Sequence, residues 1–284
     1  MKKVFTSLII CVLLLLTGCG GGNENKSSDD AGKVKLGMIT RLNASEENFS
    51  VFMKQIEDTL DVKISSHKPV FFDNLSAMQM ALQSKQIDEI STYRSVARYM
   101  IANEPRFEVL KDHSLEFIDS FCFALRDDEK DLQNSLNSVI KEMQSDGTLD
   151  RLTKDYITDI SAENEPLAVD LPNFDGADTI KVAVTGDLPP LDFVSANNLP
   201  AGFNTAVLAE IANRISKNIE IVQIDSGARA AALTSKQVDV VFWAIVPVSE
   251  IIPSDSDKPS GIILTDPYYK DKIVHIIFND EEKK

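Results

Sequence analysis

Two matching octapeptides, ALQSKQID at residues 81–88 and ALTSKQVD at residues 232–239, decide the fold. In each copy an amphipathic stretch ends in a polar turn and leads into an apolar, β-branched run. This pattern indicates a helix followed by a buried strand. Two further pairs of segments match in the same order, residues 35–40 with 181–185 and residues 117–123 with 269–275. The common order predicts a tandem duplication.

The second copy alternates between strand and helix patterns. Its predicted strands are residues 180–184, 219–224 and 238–242, and its predicted helices are residues 205–216 and 228–234. Such alternation predicts the α/β class, with two similar lobes that each hold a mainly parallel sheet flanked by helices. Ligands of such sheets bind outside the carboxyl ends of the strands, so residues 187–193 and 243–249 are the candidate binding loops.

The N-terminal segment MKKVFTSLIICVLLLLTGC, residues 1–19, has the pattern of an export signal. Two lysines precede an apolar run that is short for a bilayer span. Leu16–Cys19 resembles the bacterial lipobox, which predicts a signal peptide at residues 1–18 and acylation of Cys19 by fatty acids such as palmitate. An ordinary signal peptide or an N-terminal anchor helix are the alternatives. The predicted location is extracytoplasmic, on a lipid anchor in the cell membrane.

The charge balance is strongly acidic, with 29 Lys and Arg against 44 Asp and Glu and a net charge of −15. Loss of residues 1–18 removes Lys2 and Lys3 and brings the charge to about −17. A phosphate backbone would be repelled, so nucleic acid is excluded as a partner. Residues 19–32 are rich in Gly, Ser, Asn and Asp and predict a flexible tether.

Composition shifts divide the rest of the chain. The predicted segments are a first lobe with closing helices at residues 33–160, a linker at residues 161–178, a second lobe at residues 179–278 and a charged tail at residues 279–284. The linker has Pro, Asn and acidic residues without periodicity. Cys122 lies in an apolar strand-like run and is predicted to be a buried hydrophobic residue.

The candidate ligand-binding residues lie at or near predicted strand ends. They are Tyr93, Arg94, Asp192, Phe193, Arg229 and Trp243. Trp243 and Phe193 are candidates for stacking on a ligand, with core packing as the alternative. Asp192 is a candidate acceptor for a ligand amine, and an exposed loop carboxylate is the alternative. Arg94 is a candidate cation, with a surface salt bridge as the alternative. Arg229 is a second candidate cation, for which the alternative of a solvated surface side chain is favoured.

Catalytic and metal-binding patterns are not evident in the sequence. His67, His113 and His275 lie far apart along the chain, with no Cys or carboxylate at metal-ligand spacing, so we predict no metal site and no cofactor. His275 is predicted to be a strand residue whose imidazole is hydrogen-bonded. There is no nucleophile elbow, P-loop or dinucleotide fingerprint, which argues against an enzyme.

Several segments resemble the bacterial extracellular solute-binding proteins of family 3, the amino-acid type that serves ABC importers. In the second lobe these are the Pro-Pro loop at residues 186–193, Gly202–Asn204, the turn at residues 233–240 and Leu264–Tyr269. Residues 146–149 and 155–156 resemble the closing helices of that family. The resemblance implies a periplasmic-binding-protein-like fold of type 2, no catalytic activity, a small polar solute as ligand and an ABC permease as possible partner.

The chain departs from the family pattern in two respects. The resemblance implies a second lobe between the Pro-Tyr strand and the closing helices, whereas almost nothing separates Phe123 from Leu132 in the first copy. The chain therefore resembles two first lobes in tandem. An Arg that clamps the ligand carboxylate is expected just beyond the third strand, and Ile251 occupies that position. These departures favour, as an alternative function, a scaffold or sensor lipoprotein that binds no solute; an enzyme on the same fold is the third possibility.

Overall fold

The computed structural model describes residues 32–39, 51, 54, 57–58, 66–111, 118–159, 166–247 and 259–280, with the backbone alone described for residues 243–247. Residues 32–284 form one compact unit. The predicted signal peptide, the predicted acylation site Cys19 and the predicted tether up to residue 31 lie outside the described residues. None of the helices in the described part of the chain has the length and apolarity needed to cross a membrane.

Thirteen strands are described. They are β1 Val34–Ile39, β2 His67–Phe72, β3 Glu89–Tyr93, β4 Phe107–Val109, β5 Ile118–Arg126, β6 Thr179–Val184, β7 Asp187–Leu188, β8 Asp192–Val194, β9 Pro200–Ala201, β10 Asn218–Gln223, β11 Val240–Pro247, β12 Ile262–Leu264 and β13 Tyr269–Phe278. The three shortest of the central strands, β7 to β9, form a small antiparallel sheet of their own. The other ten strands form one mixed sheet.

Six α-helices are described in the same ranges. They are α1 Leu75–Gln83, α2 Arg94–Asn103, α3 Lys130–Ser145, α4 Thr148–Thr153, α5 Phe203–Ile215 and α6 Arg229–Thr234. A π-helical turn at Lys154–Thr158 continues α4, and a 3-10 turn at Ser226–Ala228 precedes α6. The start of α1 is capped by a side chain, because Asn74 Oδ1 accepts a hydrogen bond from Ala77 N at 2.9 Å.

The large sheet contains two sets of three parallel strands, and the strands have the same order in both sets. In the first half (residues 32–111), β1 pairs in parallel with β2 on one side and β3 on the other. In the second half (residues 166–247), β6 lies in the same way between β10 and β11. The shared order agrees with a duplication, which itself stays a prediction, as does the division of the chain into two lobes and a linker.

Two long strands cross between the halves. β5 follows the first half in sequence but pairs antiparallel with β11 of the second, whereas β13 follows the second half and pairs antiparallel with β3 of the first. The crossing strands also pair with each other, Tyr269 lying opposite Phe121. This pairing joins the two parallel sets into one continuous sheet. The α/β class is confirmed. Where one sheet per lobe was predicted, the structure has a single mixed sheet with two parallel parts.

Helices α3 and α4 pack against the second half. Arg151 Nη2 donates to Glu210 Oε1 of α5 at 2.7 Å, and Arg214 Nη2 donates to Asp146 Oδ2 at 2.7 Å. These helices therefore follow the first half along the chain and contact the second half in space. Cys122 is buried on β5 as predicted, and burial raises the pKa of its thiol to about 12.

Candidate functional site

Asp192 lies at the start of β8 and organises the loop that follows β6. Its carboxylate accepts hydrogen bonds from Thr185 N at 2.9 Å, Thr185 Oγ1 at 3.0 Å and Gly186 N at 3.1 Å. Only 1% of the residue is exposed, so the alternative of an exposed loop carboxylate is wrong. The carboxylate is buried because the tight β7–β8 hairpin folds it back onto the end of β6. Contact of Asp192 with a ligand amine stays a prediction.

Arg229 is the buried cation beside this carboxylate. It begins α6, its Nε donates to Ser226 O at 3.3 Å, and only 1% of the residue is exposed. The favoured interpretation of a solvated surface side chain is therefore wrong. The physical reason is helical spacing: Arg229, Ala232 and Leu233 share the face of α6 that packs on the sheet.

The charges of Asp192 and Arg229 act on each other. Burial lowers the pKa of the Arg229 guanidinium to about 10, against the electrostatic effects of Asp192 and Tyr93, so Arg229 remains cationic at neutral pH. Burial raises the pKa of Asp192 to about 6, against the hydrogen bonds from Thr185 and the charge of Arg229. Desolvation penalises the charged form of each group, and the neighbour of opposite charge offsets part of that penalty.

The raised pKa of Asp192 predicts a pH dependence of stability. The folded chain holds this proton up to about pH 6, whereas an unfolded Asp releases it near pH 4. The contribution of Asp192 is therefore present below about pH 4 and is lost as the pH rises towards 6. We expect the difference in free energy of unfolding between wild type and Asp192→Asn, measured with urea, to fall across this range. Asp175→Asn, at an exposed position, is the control, and a difference that stays constant for Asp192→Asn across this range would contradict the prediction.

Tyr93 is the residue that the first half contributes to the site around Asp192 and Arg229. Its side chain is 8% exposed at the end of β3, its hydroxyl donates to Asp119 Oδ2 at 3.4 Å, and its ring packs edge-on to Phe121 at 4.8 Å. Tyr93 also raises the pKa of Arg229 electrostatically, so the two side chains lie within the range of an electrostatic interaction. Of the predicted residues, the structure thus brings together Tyr93, Asp192 and Arg229. With Asp119 and Thr185 we call them the polar cluster.

The other predicted residues lie apart from the polar cluster or outside the described side chains. The side chain of Arg94 is exposed at the start of α2. Phe193 is half-buried in the small sheet, where it pairs with Asp187 and Ala201. Its contact with a ligand stays a prediction. Trp243 belongs to β11, where the register with β5 shifts between Val241 and Ala244; its side chain lies outside the described residues, as does Ile251.

The two halves contact each other directly beside the polar cluster. Asp187 Oδ2 accepts from Ser76 N at 3.2 Å, at the first turn of α1, and Ser226 N donates to Asp73 O at 3.2 Å. Burial raises the pKa of Asp187, and hydrogen bonds from Ser76 and Leu75 oppose the rise. A carboxylate is favoured at a helix N-terminus because unpaired N–H groups point towards it. Asp187 lies in the candidate loop at residues 187–193, but nothing in the sequence indicated its partner in the other half.

Two histidines meet a single carboxylate where the crossing strand β13 pairs with the first half. Glu89 Oε2 lies 2.7 Å from His275 Nδ1 and 3.6 Å from His67 Nε2. Hydrogen bonds from the two imidazoles lower the pKa of Glu89 to about 2. His275 is a hydrogen-bonded strand residue, as predicted. The two histidines lie far apart along the chain only, since the fold brings both of them to Glu89.

A surface cavity of about 500 Å³ lies between α4 and α5. Its lining includes Leu152, Tyr156, Leu167, Ala206 and Glu210, and none of the six predicted ligand-binding residues. The Arg151–Glu210 ion pair closes one side of it. The cavity is therefore separate from the polar cluster.

Comparison with known families gives one sequence match. Residues 180–251 match the model of the bacterial extracellular solute-binding proteins, family 3. The predicted resemblance is thus confirmed over a segment that contains Asp192 and Arg229. No curated protein matches the chain.

Solved structures resemble the chain distantly. The ligand-binding core of GluR0 from Nostoc punctiforme, in complex with L-glutamate, is 11% identical, with 87% of this chain and 85% of that chain covered and a TM-score of 0.37. The methionine-binding protein MetQ is 10% identical, with 88% of this chain and 84% of that chain covered and a TM-score of 0.40. A nutrient-binding protein from Burkholderia cenocepacia, bound to methionine, is 10% identical, with 86% of this chain and 84% of that chain covered and a TM-score of 0.37. Likenesses at this level carry no argument about the ligand.

Proposed function

We propose that this chain is a lipid-anchored extracytoplasmic solute-binding protein that delivers an amino-acid-like solute to an ABC importer. One observation carries the proposal: the segment that matches the solute-binding family, residues 180–251, supplies Asp192 and Arg229 to a polar cluster that Tyr93 of the first half completes. A cluster built from both halves at strand ends is where such α/β folds bind small ligands.

The chemistry of the polar cluster suits a solute with both an anionic and a cationic group. A guanidinium can bind a carboxylate through two parallel hydrogen bonds, which makes Arg229 the candidate that replaces the cation expected at position 251. Asp192 is the nearby anion for an ammonium group, and Tyr93 offers an aromatic ring with a hydroxyl. An α-amino acid carries the matching pair of charges on adjacent atoms.

Solute entry requires separation of the two halves, because their contact at Asp187 and Ser76 lies beside the cluster. The crossing strands β5 and β13 connect the halves and are the candidate hinge. Hinge closure around a ligand is a common transition in two-lobed binding folds. In this proposal the described arrangement corresponds to the closed form.

The order of the segments supports a two-lobed binder. The family resemblance implies that a second lobe lies between the Pro-Tyr strand and the closing helices. Here the Pro-Tyr segment, residues 264–269, leads through β13 into the first half, while α3 and α4 precede the second half in sequence and pack on it. We infer that the first half is the second lobe in circularly permuted order, which accounts for the missing insertion between Phe123 and Leu132.

A thermal-shift screen of amino acids and small organic acids tests the proposed function. A cognate solute at one hundred times its Kd stabilises the folded state by about 2.7 kcal/mol, so we expect the melting midpoint to rise by about 5 °C or more. In Arg229→Met the same solute should give no rise above that variant's own midpoint. The control Arg98→Met changes an exposed cation and should keep the wild-type response.

The opposite outcome favours the scaffold alternative. The direct contacts of Asp187 with Ser76 and of Ser226 with Asp73 are the observations on its side, because they join the two halves by hydrogen bonds. If no solute at millimolar concentration moves the midpoint of the wild-type chain, the solute-binding proposal fails. An equal rise in the melting midpoints of wild type and Arg229→Met would support solute binding but would reject the assigned site.

A further inference from the structure

Two strands of the first half and the crossing strand β13 bring two imidazoles and one carboxylate to a common point. His67 begins β2, Glu89 begins β3 and His275 lies in β13. One potential ligand atom from each side chain lies within 4.8 Å of the other two. The three residues are separated by 22 and 186 positions in the sequence, so only the sheet topology brings them together.

Strand register places the three side chains on one face of the sheet. His67 lies opposite Val34 on β1, and Glu89 lies opposite Leu36, two residues further along the same strand. His275 lies opposite Ser91, two residues after Glu89. Because side chains alternate between faces, residues two apart share a face. The arrangement is therefore fixed by backbone pairing and not by one flexible side chain.

The cluster is partly shielded and its imidazoles are oriented. The exposed side-chain fractions are 26% for His67, 16% for His275 and 11% for Glu89. Ser66 Oγ lies 3.1 Å from His67 Nδ1, which leaves Nε2 directed at Glu89. An outer hydrogen bond that fixes the orientation of an imidazole is a regular feature of protein metal sites.

We propose that His67, Glu89 and His275 bind a divalent transition-metal ion, of which zinc fits the donor set best. Two imidazole nitrogens and one carboxylate oxygen are a common three-ligand set for zinc, with water as the fourth ligand. Calcium and magnesium are disfavoured because they take oxygen ligands almost exclusively. Ligand atoms about 2.0–2.1 Å from a tetrahedral ion lie roughly 3.3 Å apart. The observed distances of 2.7 and 3.6 Å to Glu89 Oε2 are within an ångström of that value.

The metal would tie β13 to the parallel strands of the first half. Glu89 lies four residues before Tyr93 on β3, so the metal site and the polar cluster are separated by roughly 13 Å along the strand. The ion would thus bridge the returning strand to β2 and β3 without touching a solute in the polar cluster. This inference does not rest on the proposed solute function, and either can fail alone.

Calorimetric titration of the full chain with zinc chloride tests the site. The protein is purified without a polyhistidine tag and treated with EDTA before the titration. We expect one zinc ion per chain, and at least about tenfold weaker binding in His67→Gln, Glu89→Gln and His275→Gln. Glu220→Gln changes an exposed carboxylate of the second half and is the matched control. Absence of binding, or equal loss in the control, overturns the proposal.

A second measurement needs no variant and so does not depend on how the variants fold. The chain holds three histidines, and their imidazole resonances can be followed by NMR during zinc addition. We expect the signals of His67 and His275 to change up to one equivalent of zinc and then to stop changing. Excess calcium should not reverse the change. A change that continues well beyond one equivalent, or reversal by calcium, would show diffuse binding by an acidic chain and would overturn the assigned site.

Discussion

Replacing Phe123 with Ala is expected to lower the free energy of unfolding by about 3–5 kcal/mol. Phe123 lies on the crossing strand β5 and is fully buried. Its ring stacks on Tyr268 at 4.7 Å and lies 5.9 Å from the ring of Phe242. Truncation removes the buried ring and leaves a cavity between aromatic neighbours. The cavity cannot collapse freely, because Phe242 lies on the paired strand β11 and Tyr268 N donates to Phe121 O.

Urea unfolding monitored by circular dichroism measures this loss. Leu199→Ala removes an aliphatic side chain that is 50% exposed, and we expect it to cost well under 1 kcal/mol. Phe123→Leu should lie between the two because it fills most of the cavity. If Phe123→Ala were no more costly than the exposed control, the aromatic packing beneath the crossing strands would contribute little to stability.

The position of Phe123 also predicts that the two halves unfold together. Its strand leaves the first half and pairs with β11 of the second, and its backbone N–H donates to Thr265 Oγ1 at 2.9 Å, next to the Pro-Tyr segment. A weakened contact at this crossing therefore affects both parallel sets of strands. Any hinge motion between the halves must bend β5 and β13 while this aromatic packing persists.

Local elements were predictable from the sequence because their signals are local. The helix predicted at residues 205–216 is α5, Phe203–Ile215, and the helix predicted at residues 228–234 is α6, Arg229–Thr234. Apolar residues at helical spacing and polar turns are contained within a few residues of each element. The exchange of β5 and β13 between the halves was not predictable, since the pairing of distant strands leaves no such local pattern.

Residues of the candidate site were predicted from the sequence, but their burial was not. Asp192 and Arg229 were named from their positions at a strand end and a helix start, but their burial was missed. Burial depends on how α6 and the small sheet pack on the large sheet, which the local pattern does not contain. Glu89, by contrast, was missed altogether, because a search for metal ligands by spacing finds only residues close in sequence.

Replacing Gly202 with Ala is the second change with a large expected effect, a loss of about 2–4 kcal/mol in the free energy of unfolding. Gly202 has φ 90° and ψ 177°, a conformation that side chains disfavour. A Cβ atom at this position would lie 2.7 Å from Pro190 O and 3.1 Å from Leu191 O. Both obstacles are backbone atoms, so no side-chain rotation relieves the contact.

The same carbonyls explain why this position matters to the candidate site. Pro190 O accepts from Phe203 N at 3.0 Å and Leu191 O accepts from Asn204 N at 2.8 Å, so the loop caps the start of α5. A methyl group at residue 202 must push the loop away from the helix and move the adjacent Asp192. Gly147→Ala is the matched control, because Gly147 also has a positive φ but open space around it, and it should cost only about 1 kcal/mol. Equal losses at the two glycines would mean that backbone conformation alone sets the cost and that the loop accommodates the added atom.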